Sequence, residues 1–376
     1  MPKIFMFVNV DWFFLSHRLP IAKVAAARGF DMSVFCDFTR SHKKETYSGF
    51  LFLQSPIKRT YGGFYSSCVE FFTTLQLIKR ERPSVIHAVT IKPIIFLGIV
   101  CLIFRIPFIA SISGLGPGFS PTSYWGKARL FIIKLLYRLI FSPRKTKVIC
   151  QSDNDVGVLI DNRLVASRKI AMTEGSGVDL EEYGPKTNVA SDVITVLMAS
   201  RLLVDKGVRE FCAAAGVIQK KYDFNVNFSL AGPVDSDSPG FLDEDQVIEM
   251  CESNKVQFLG SRRDLKDILA KTDIFVLPSY YAEGIPKVLL EAAAYGCAVI
   301  TTDHPGCRDA IIPGLTGMLI TPKDATSLEN ALSCILEDRE LMESMGRAGR
   351  ELAEKRFCVT RVIDIHYSLY HTFKNN

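Results

Sequence analysis

Residues 183–199 read YGPKTNVASDVITVLMA. The polar stretch Tyr183–Asn188, with its Gly and Pro, looks like a linker. It runs into Val193–Ala199, a strand pattern apolar on both faces, as a strand buried inside a parallel sheet is. Upstream, short β-rich runs at Ile4–Val10, Met32–Cys36, Val85–Ala88, Pro107–Ser111 and Val148–Gln151 alternate with helical patterns over Leu19–Arg28, Val69–Arg82 and Lys127–Phe141. Downstream the rhythm restarts, with strands at Val226–Leu230, Val256–Leu259, Ile274–Leu277 and Ala298–Thr302. The spacing predicts an α/β protein with two Rossmann-like domains, residues 1–185 and 186–355. The remaining segment, 356–376, places Val362, Ile363, His366, Tyr367 and Tyr370 at helical spacing, so it needs a surface to pack on.

A chain of 376 residues fits two domains at about 150 residues each, and each is large enough to bury a core without staples. With 48% apolar and 23% charged residues it is neither disordered nor collagen-like. Ten cysteines are scattered singly, without a C-x-x-C pair or zinc spacing; most, such as Cys36, Cys101, Cys150 and Cys212, lie in apolar runs and read as reduced core residues. The apolar N-terminus is interrupted by Asp11 and reads as a strand rather than a signal peptide. Pro93–Phe104 is too short to cross a bilayer, which takes about 20 residues.

The net charge of +5 is unevenly spread. Residues 1–185 hold 24 Lys/Arg against 13 Asp/Glu, a net of +11, and the rest of the chain carries −6. Between Glu81 and Asp153 there is no acid and there are ten bases. The N-terminal half therefore calls for an anionic partner: nucleic acid, a phosphorylated substrate or a membrane surface.

In open α/β sheets ligands bind where loops leave the carboxyl ends of strands, and three such loops carry chemistry. After Val193–Ala199 comes Ser200–Gly207, where Arg201 and Lys206 are placed to clamp an anion or are a solvated pair of charges. After Ile274–Leu277 comes Pro278–Glu291. Pro286 fits a first helical turn, and N–H groups around Gly284, Ile285, Lys287, Val288 and Leu289 would face a phosphate. Glu283 and Glu291 can accept hydrogen bonds from several hydroxyls, as a sugar and a ribose offer; the alternative is a cap and an exposed helical charge. After Pro107–Ser111 comes Ser111–Gly118, where Ser113, Gly114, Leu115 and Gly116 allow close approach of backbone to a ligand. It is neither a G-x-G-x-x-G fingerprint nor a P-loop.

Arg201…Lys206, Gly175–Asp179 and the Glu-x7-Glu spacing from Glu283 to Glu291 together resemble glycosyltransferase family 4. That resemblance implies the GT-B fold: two Rossmann-like domains with a cleft between them, and a C-terminal helix, here within 356–376, that returns to the N-terminal domain. Ser16–Pro20 (SHRLP) and Ile112–Gly116 (ISGLG) are similar to a bacterial subgroup that extends saccharides on undecaprenyl diphosphate, including α-1,3-N-acetylgalactosaminyltransferases. The resemblance implies a retaining transfer from a nucleotide sugar, most simply a UDP-sugar, with no obligatory metal and no other cofactor. It assigns Arg201 and Lys206 to the donor diphosphate, Glu283 to the transferred sugar, and Glu291 to the ribose. Backbone amides of Gly284–Leu289, Pro286 being without one, complete the cradle, and Ser113–Gly116 faces the acceptor or its diphosphate.

Many family members carry a catalytic His where Ser113-Gly114 stands here. His17, on the loop after the first strand, is either its substitute near the acceptor or a structural His at a helix N-terminus. Asp235-Ser236-Asp237 is formally a metal-binding D-x-D but reads as a solvated loop, and His87, His304, His366 and His371 read as structural.

Residues 127–147 mix bases with large apolar side chains at helical spacing, as in a helix lying on an anionic membrane, or a core helix with a basic wet face. A polyprenyl-linked acceptor favours the membrane, at the cytoplasmic face of a bacterial plasma membrane. No nucleic-acid-binding motif accompanies the charge. The other readings are a GT-B epimerase or hydrolase of a nucleotide sugar, and a non-catalytic two-lobe binding protein.

Overall fold

The computed structural model describes residues 1–39, 45–47, 49–59, 62–116, 119, 123–186 and 192–373. By packing, the chain forms two compact units, Met1–Gly177 with Val359–Asn376, and Val178–Cys358.

The first unit is built on strands β1 (Lys3–Val10), β2 (Asp31–Asp37), β3 (Glu45–Tyr47), β4 (Phe50–Gln54), β5 (Val85–Val89), β6 (Phe108–Ile112), β7 (Thr146–Cys150) and β8 (Ile170–Met172). They lie in the order β3-β4-β2-β1-β5-β6-β7-β8. All neighbours are parallel except β3, which adds antiparallel to β4 at the edge. β5 and β6 are buried at every position, which is why their sequences are apolar apart from His87 and Ser111, which bond each other, rather than alternating. Helices α1 (Asp11–His17), α2 (Leu19–Ala27), α3 (Gly63–Glu81), α4 (Ile91–Phe104), α5 (Tyr124–Ile140) and α6 (Asp153–Asp161) connect the strands. One core gathers Ile78 of α3, Leu97 of α4 and Ile140 of α5. The other gathers Phe14 of α1, Ile21 of α2 and, from the end of the chain, Val362 and Tyr370.

The second unit has β9 (Ile194–Ala199), β10 (Val226–Ala231), β11 (Gln257–Gly260), β12 (Ile274–Leu277), β13 (Ala298–Thr302) and β14 (Gly317–Ile320), all parallel, in the order β11-β10-β9-β12-β13-β14. Around them lie α7 (Val208–Lys221), α8 (Glu244–Ser253), α9 (Leu265–Leu269), α10 (Lys287–Tyr295), α11 (Ala325–Glu337) and α12 (Arg339–Leu352). The order reverses direction between β9 and β12, which opens a crevice at their carboxyl ends. The last helix, α13 (Val359–Thr372), packs on α2 and belongs to the first unit.

The chain enters the second unit at Val178, earlier than the polar stretch that reads as a linker. Val178 is fully buried and its N–H bonds Phe357 O at 2.8 Å, while Tyr183 packs its ring on Tyr295 at 5.4 Å. Lys186 Nζ lies 3.5 Å from Asp273 Oδ1; Thr187 and Asn188 lie outside the described residues. All ten cysteines are free thiols: seven are buried in these cores, Cys36, Cys101, Cys150 and Cys212 among them, Cys68 and Cys358 are half-buried, and Cys334 is exposed.

Candidate active site

The loop after β9 and the loop after β12 bracket the crevice of the second unit, and they are stitched together. Tyr280 N–H donates to Asp205 O at 2.9 Å, and Ser279 Oγ reaches the same carbonyl at 3.4 Å. Gly207, at φ +81° at the head of α7, makes the crossing possible: a Cβ there would stand 2.3 Å from Pro278 O. Gly306, at φ +85°, lies as closely under the carbonyls of Glu283 and Gly284.

This weave brings three predicted residues together. Lys206, nearly buried, forms an ion pair with Glu283 Oε1. Arg201 Nη1 pairs with Asp235 Oδ2 at 2.7 Å and also donates to Ser238 Oγ at 3.1 Å. Both cations stand over one ring: Arg201 Cζ is 5.5 Å and Lys206 Nζ 5.0 Å from the Tyr281 centroid. Burial pulls the Arg201 guanidinium down, but the Asp235 hydrogen bond, with Tyr281 and Glu283 nearby, outweighs it and holds Arg201 above its ordinary value.

In Asp235-Ser236-Asp237, Ser236 and Asp237 are exposed as a solvated loop requires, and Asp235 alone departs from that reading. Its carboxylate is largely buried because it neutralises Arg201. Among the described residues no group of three or more His, Cys, Asp or Glu side chains could hold a metal ion.

Pro286 is the residue that precedes α10 rather than part of its first turn, with ψ 123°. The Leu289 N–H, expected in the phosphate cradle, is used on Pro286 O at 3.1 Å. Ile285 and Leu289 are buried, and Lys287 turns back along α10 to Glu291 Oε1 at 3.3 Å. Glu291 is itself buried and accepts the Tyr183 hydroxyl at 3.1 Å. Burial raises the Glu291 carboxyl above its usual range, against the opposing pull of Lys287 and Tyr183. It is thus not the exposed helical charge that the local pattern allows.

The remaining candidates lie in the first unit. His17 is neither on a loop nor at a helix N-terminus; it ends α1, with its ring stacked on Phe13 at 4.2 Å. The neighbouring Arg18 is fully buried, donating to His17 O at 3.2 Å and to Ser113 Oγ at 3.0 Å. It therefore ties the end of α1 to the loop after β6, whose Leu115 N–H donates to Asp155 Oδ1 at 3.2 Å. Gly114 and Gly116 take φ of +97° and +68°, while Pro117 and Gly118 lie outside the described residues. Behind this loop Ser111 Oγ lies 2.7 Å from His87 Nε2, and His87 Nδ1 lies 2.7 Å from Tyr370 Oη. The His87 and His366 rings are 5.5 Å apart, and both are buried.

Asp235, Ser238, Tyr281, Tyr183 and Arg18 were not singled out from the sequence as site residues. All but Ser238 lay inside quoted segments: Tyr183 in the apparent linker, Asp235 in the D-x-D, Tyr281 in the loop after β12 and Arg18 in SHRLP.

The second unit is thus doubly wound, with Arg201, Lys206 and Glu283 gathered at its switch point. The family model "Glycosyl transferases group 1" matches residues 179–352, and "Glycosyl transferase 4-like" matches residues 3–152. The chain belongs to the family 4 glycosyltransferases and has the GT-B fold. It is 27% identical over 356 residues to N,N'-diacetylbacillosaminyl-diphospho-undecaprenol α-1,3-N-acetylgalactosaminyltransferase of Campylobacter jejuni, covering 89% of this chain and 91% of that protein. It is 26% identical over 309 residues to the UDP-Gal:α-D-GlcNAc-diphosphoundecaprenol α-1,3-galactosyltransferase of Escherichia coli, covering 78% and 77%. Among solved structures, Anabaena HepE in complex with UDP and glucose superposes with a TM-score of 0.76 at 18% identity, covering 100% of both chains.

Proposed function

We propose that this glycosyltransferase moves a hexose or N-acetylhexosamine, with retention, from a UDP-sugar to a saccharide carried on undecaprenyl diphosphate, in assembly of a bacterial surface polysaccharide or glycan. The observation that carries the donor half is the convergence of Arg201, Lys206 and Glu283 at the crevice between β9 and β12. Two cations there offset the charge that develops on a departing nucleoside diphosphate, so the reading needs neither an obligatory metal nor a further cofactor. Glu283, beside Lys206, contacts hydroxyls of the transferred sugar. Glu291, positioned by Tyr183 and Lys287, accepts from the ribose.

In the transfer step the bond from the anomeric carbon to the β-phosphate oxygen breaks on the face where the acceptor hydroxyl attacks. The new glycosidic bond forms there, and the phosphate oxygen takes the hydroxyl's proton, leaving UDP. Same-face attack suits a site without a dedicated carboxylate nucleophile, unlike the two-carboxylate arrangement of glycosidases. Arg201 and Lys206 hold the leaving diphosphate throughout.

The acceptor side rests on the loop Ser113–Gly116 and on His17, drawn together by Arg18. Support for the lipid-linked acceptor comes from the Campylobacter jejuni and Escherichia coli relatives, whose names specify diphospho-undecaprenol saccharides. Among the described residues no helix is long and apolar enough to cross a membrane. In this reading residues 127–147 contact the anionic cytoplasmic face of the plasma membrane peripherally.

A panel of UDP- and GDP-sugars offered with undecaprenyl-diphosphate-linked saccharides, scored by the mass of the extended lipid, tests the proposal. One UDP-sugar extending a lipid-linked acceptor is the expected result. Full activity of Arg201→Ala, Lys206→Ala and Glu283→Ala alike would sink the donor assignment.

A further inference from the structure

The first unit exposes large apolar side chains on two helices. On α3, Phe64 is 88% and Tyr65 83% exposed, and Val69 and Phe72 lie on the same side. On α5, Tyr124 is 81% and Trp125 82% exposed, followed by exposed Phe131, Ile132, Leu135 and Leu139. At about 100° per residue these α5 side chains occupy one arc of roughly 120°, opposite the buried Tyr137 and Ile140. Lys127, Lys134 and Arg138 border that arc on one side and Arg129 on the other. The helix is therefore apolar twice, once toward the core and once outward.

Topology puts the two aromatic clusters on one edge. In a parallel sheet each connecting helix starts at the carboxyl ends of the strands, so the first turns of α3, α4 and α5 lie along the same edge. A buried ion pair, Glu70 Oε2 to Lys92 Nζ at 2.8 Å, fixes the start of α3 beside the start of α4, and Lys92 Nζ also donates to Lys58 O at 2.9 Å. On its other flank α4 packs on α5. Gly116 of the Ser113–Gly116 loop sits next to Ile91, the first residue of α4. Phe64–Tyr65 and Tyr124–Trp125 thus border the edge that carries that loop.

We propose that the first turns of α3 and the outward face of α5 form one docking surface for an anionic lipid bilayer. The aromatic rings lie at headgroup depth, and the loop Ser113–Gly116 is held at the membrane boundary. Charge complementarity selects this occupant: no acidic residue interrupts Glu81 to Asp153, and four bases flank the outward apolar face. Amphipathic rings of Tyr and Trp favour the interfacial zone. The inference extends the lipid-linked acceptor reading by adding α3, outside residues 127–147, and by orienting the edge.

The test is co-sedimentation of the full chain with phosphatidylglycerol-containing and purely phosphatidylcholine vesicles, at low and high salt. Its mass in solution is followed by sedimentation velocity. Wild type should partition onto the anionic vesicles, salt-sensitively, with a blue shift of Trp emission. Phe64→Ser/Tyr65→Ser and Trp125→Ser/Phe131→Ser should each weaken that partition about tenfold. Turnover of a short-chain, water-soluble diphosphate-linked acceptor should be unchanged, while turnover of the vesicle-borne polyprenyl acceptor falls. Unaltered vesicle binding of the Phe64/Tyr65 variant would overturn the role of α3. A wild-type dimer that the substitutions dissociate, without vesicle binding, would assign the face to a second copy and overturn the proposal. If wild type transfers sugar to neither acceptor, the functional reading fails, yet vesicle partition still decides the docking surface by itself.

Discussion

Arg201 Nη1 lies 2.7 Å from Asp235 Oδ2, and that same oxygen accepts the Ser238 hydroxyl at 2.7 Å. The carboxylate thus fixes one edge of the guanidinium while the Tyr281 ring stands 5.5 Å from its centre. A planar fork held on one edge can still offer its other N–H groups to a phosphate. Arg201→Ala should lower kcat/KM for the donor by about 10²-fold or more, the scale of losing a charge-stabilising group at the reacting centre. Arg201→Lys should recover little of this, because an ammonium cannot satisfy Asp235 and a phosphate with the same geometry. Asp235→Asn should cost less, about tenfold, because it loosens Arg201 without removing it. Steady-state kinetics of the three variants check the ranking, and an Asp235→Asn loss equal to that of Arg201→Ala would contradict it.

Lys206 and Glu283 make a pair of a different kind, since Lys206 is nearly buried and Glu283 about a quarter exposed. Removing Glu283 leaves a shielded ammonium without its partner, so Glu283→Ala should destabilise the chain by about 1–3 kcal/mol, short of the full cost of orphaning a wholly buried charge. Lys206→Met with Glu283→Leu should restore most of that stability because neither charge remains, while leaving transfer abolished. Urea denaturation set against activity separates the roles. A double variant as unstable as Glu283→Ala would show that packing, not charge, governs the site.

The parts of this site that could be read from sequence are those where one short segment carries the whole signal. Arg201 and Lys206 follow β9 directly, and Glu283 and Glu291 straddle the start of α10, so strand, loop and helix pattern locate them. Their partners come from distant segments. Asp235 is 34 residues from Arg201, Tyr183 is 108 from Glu291, and Arg18 is 95 from Ser113. No local periodicity encodes such pairings; the strand order creates them. The same physics hid β4, β8 and β14, which are three to five residues long and, at β8, only half-buried. Tyr183 read as linker because Gly and Pro follow it, while its ring and hydroxyl are committed to Tyr295 and Glu291.

Glu291 carries a built-in conflict between stability and binding. Its folded-state pKa is raised by burial, so the folded chain holds that proton more tightly than the unfolded chain does. The associated stability is fully present below the unfolded carboxyl value and is lost as pH rises through the raised folded value. At neutral pH the buried carboxylate is therefore a cost. Glu291→Gln keeps an acceptor for the Tyr183 hydroxyl and removes the charge. It should raise the melting temperature at pH 7 by a few degrees, an advantage that shrinks toward pH 4. In the proposed ribose role it should also raise the donor KM. Thermal melts at the two pH values check the first outcome, and an advantage larger at pH 4 than at pH 7 would reverse the assigned sign.

His366 makes the first unit acid-sensitive in the opposite sense. Its Nδ1 lies 2.8 Å from the carbonyl of Val362, which can only accept, so Nδ1 carries the hydrogen and Nε2 the lone pair. That Nε2 is buried without a hydrogen-bond partner among the described residues. Burial first, and then the positive Arg18, pull the His366 pKa down to about 3. Burial, His366 and Arg18 lower that of His87 as well. A depressed folded value means the contribution to stability is intact above the ordinary value of about 6.5 and is lost as pH falls toward about 3. The urea midpoint should therefore fall steadily across that window, with a loss of several kcal/mol at its foot. His366→Phe fills the same space with a ring that cannot charge, and should flatten the fall even if it costs some stability at pH 7. Arg18→Met should make the acid-induced fall smaller, because without the neighbouring cation both imidazoles charge more easily and the window between folded and unfolded values narrows. An unchanged pH slope in His366→Phe would show that His366 is not the group that titrates.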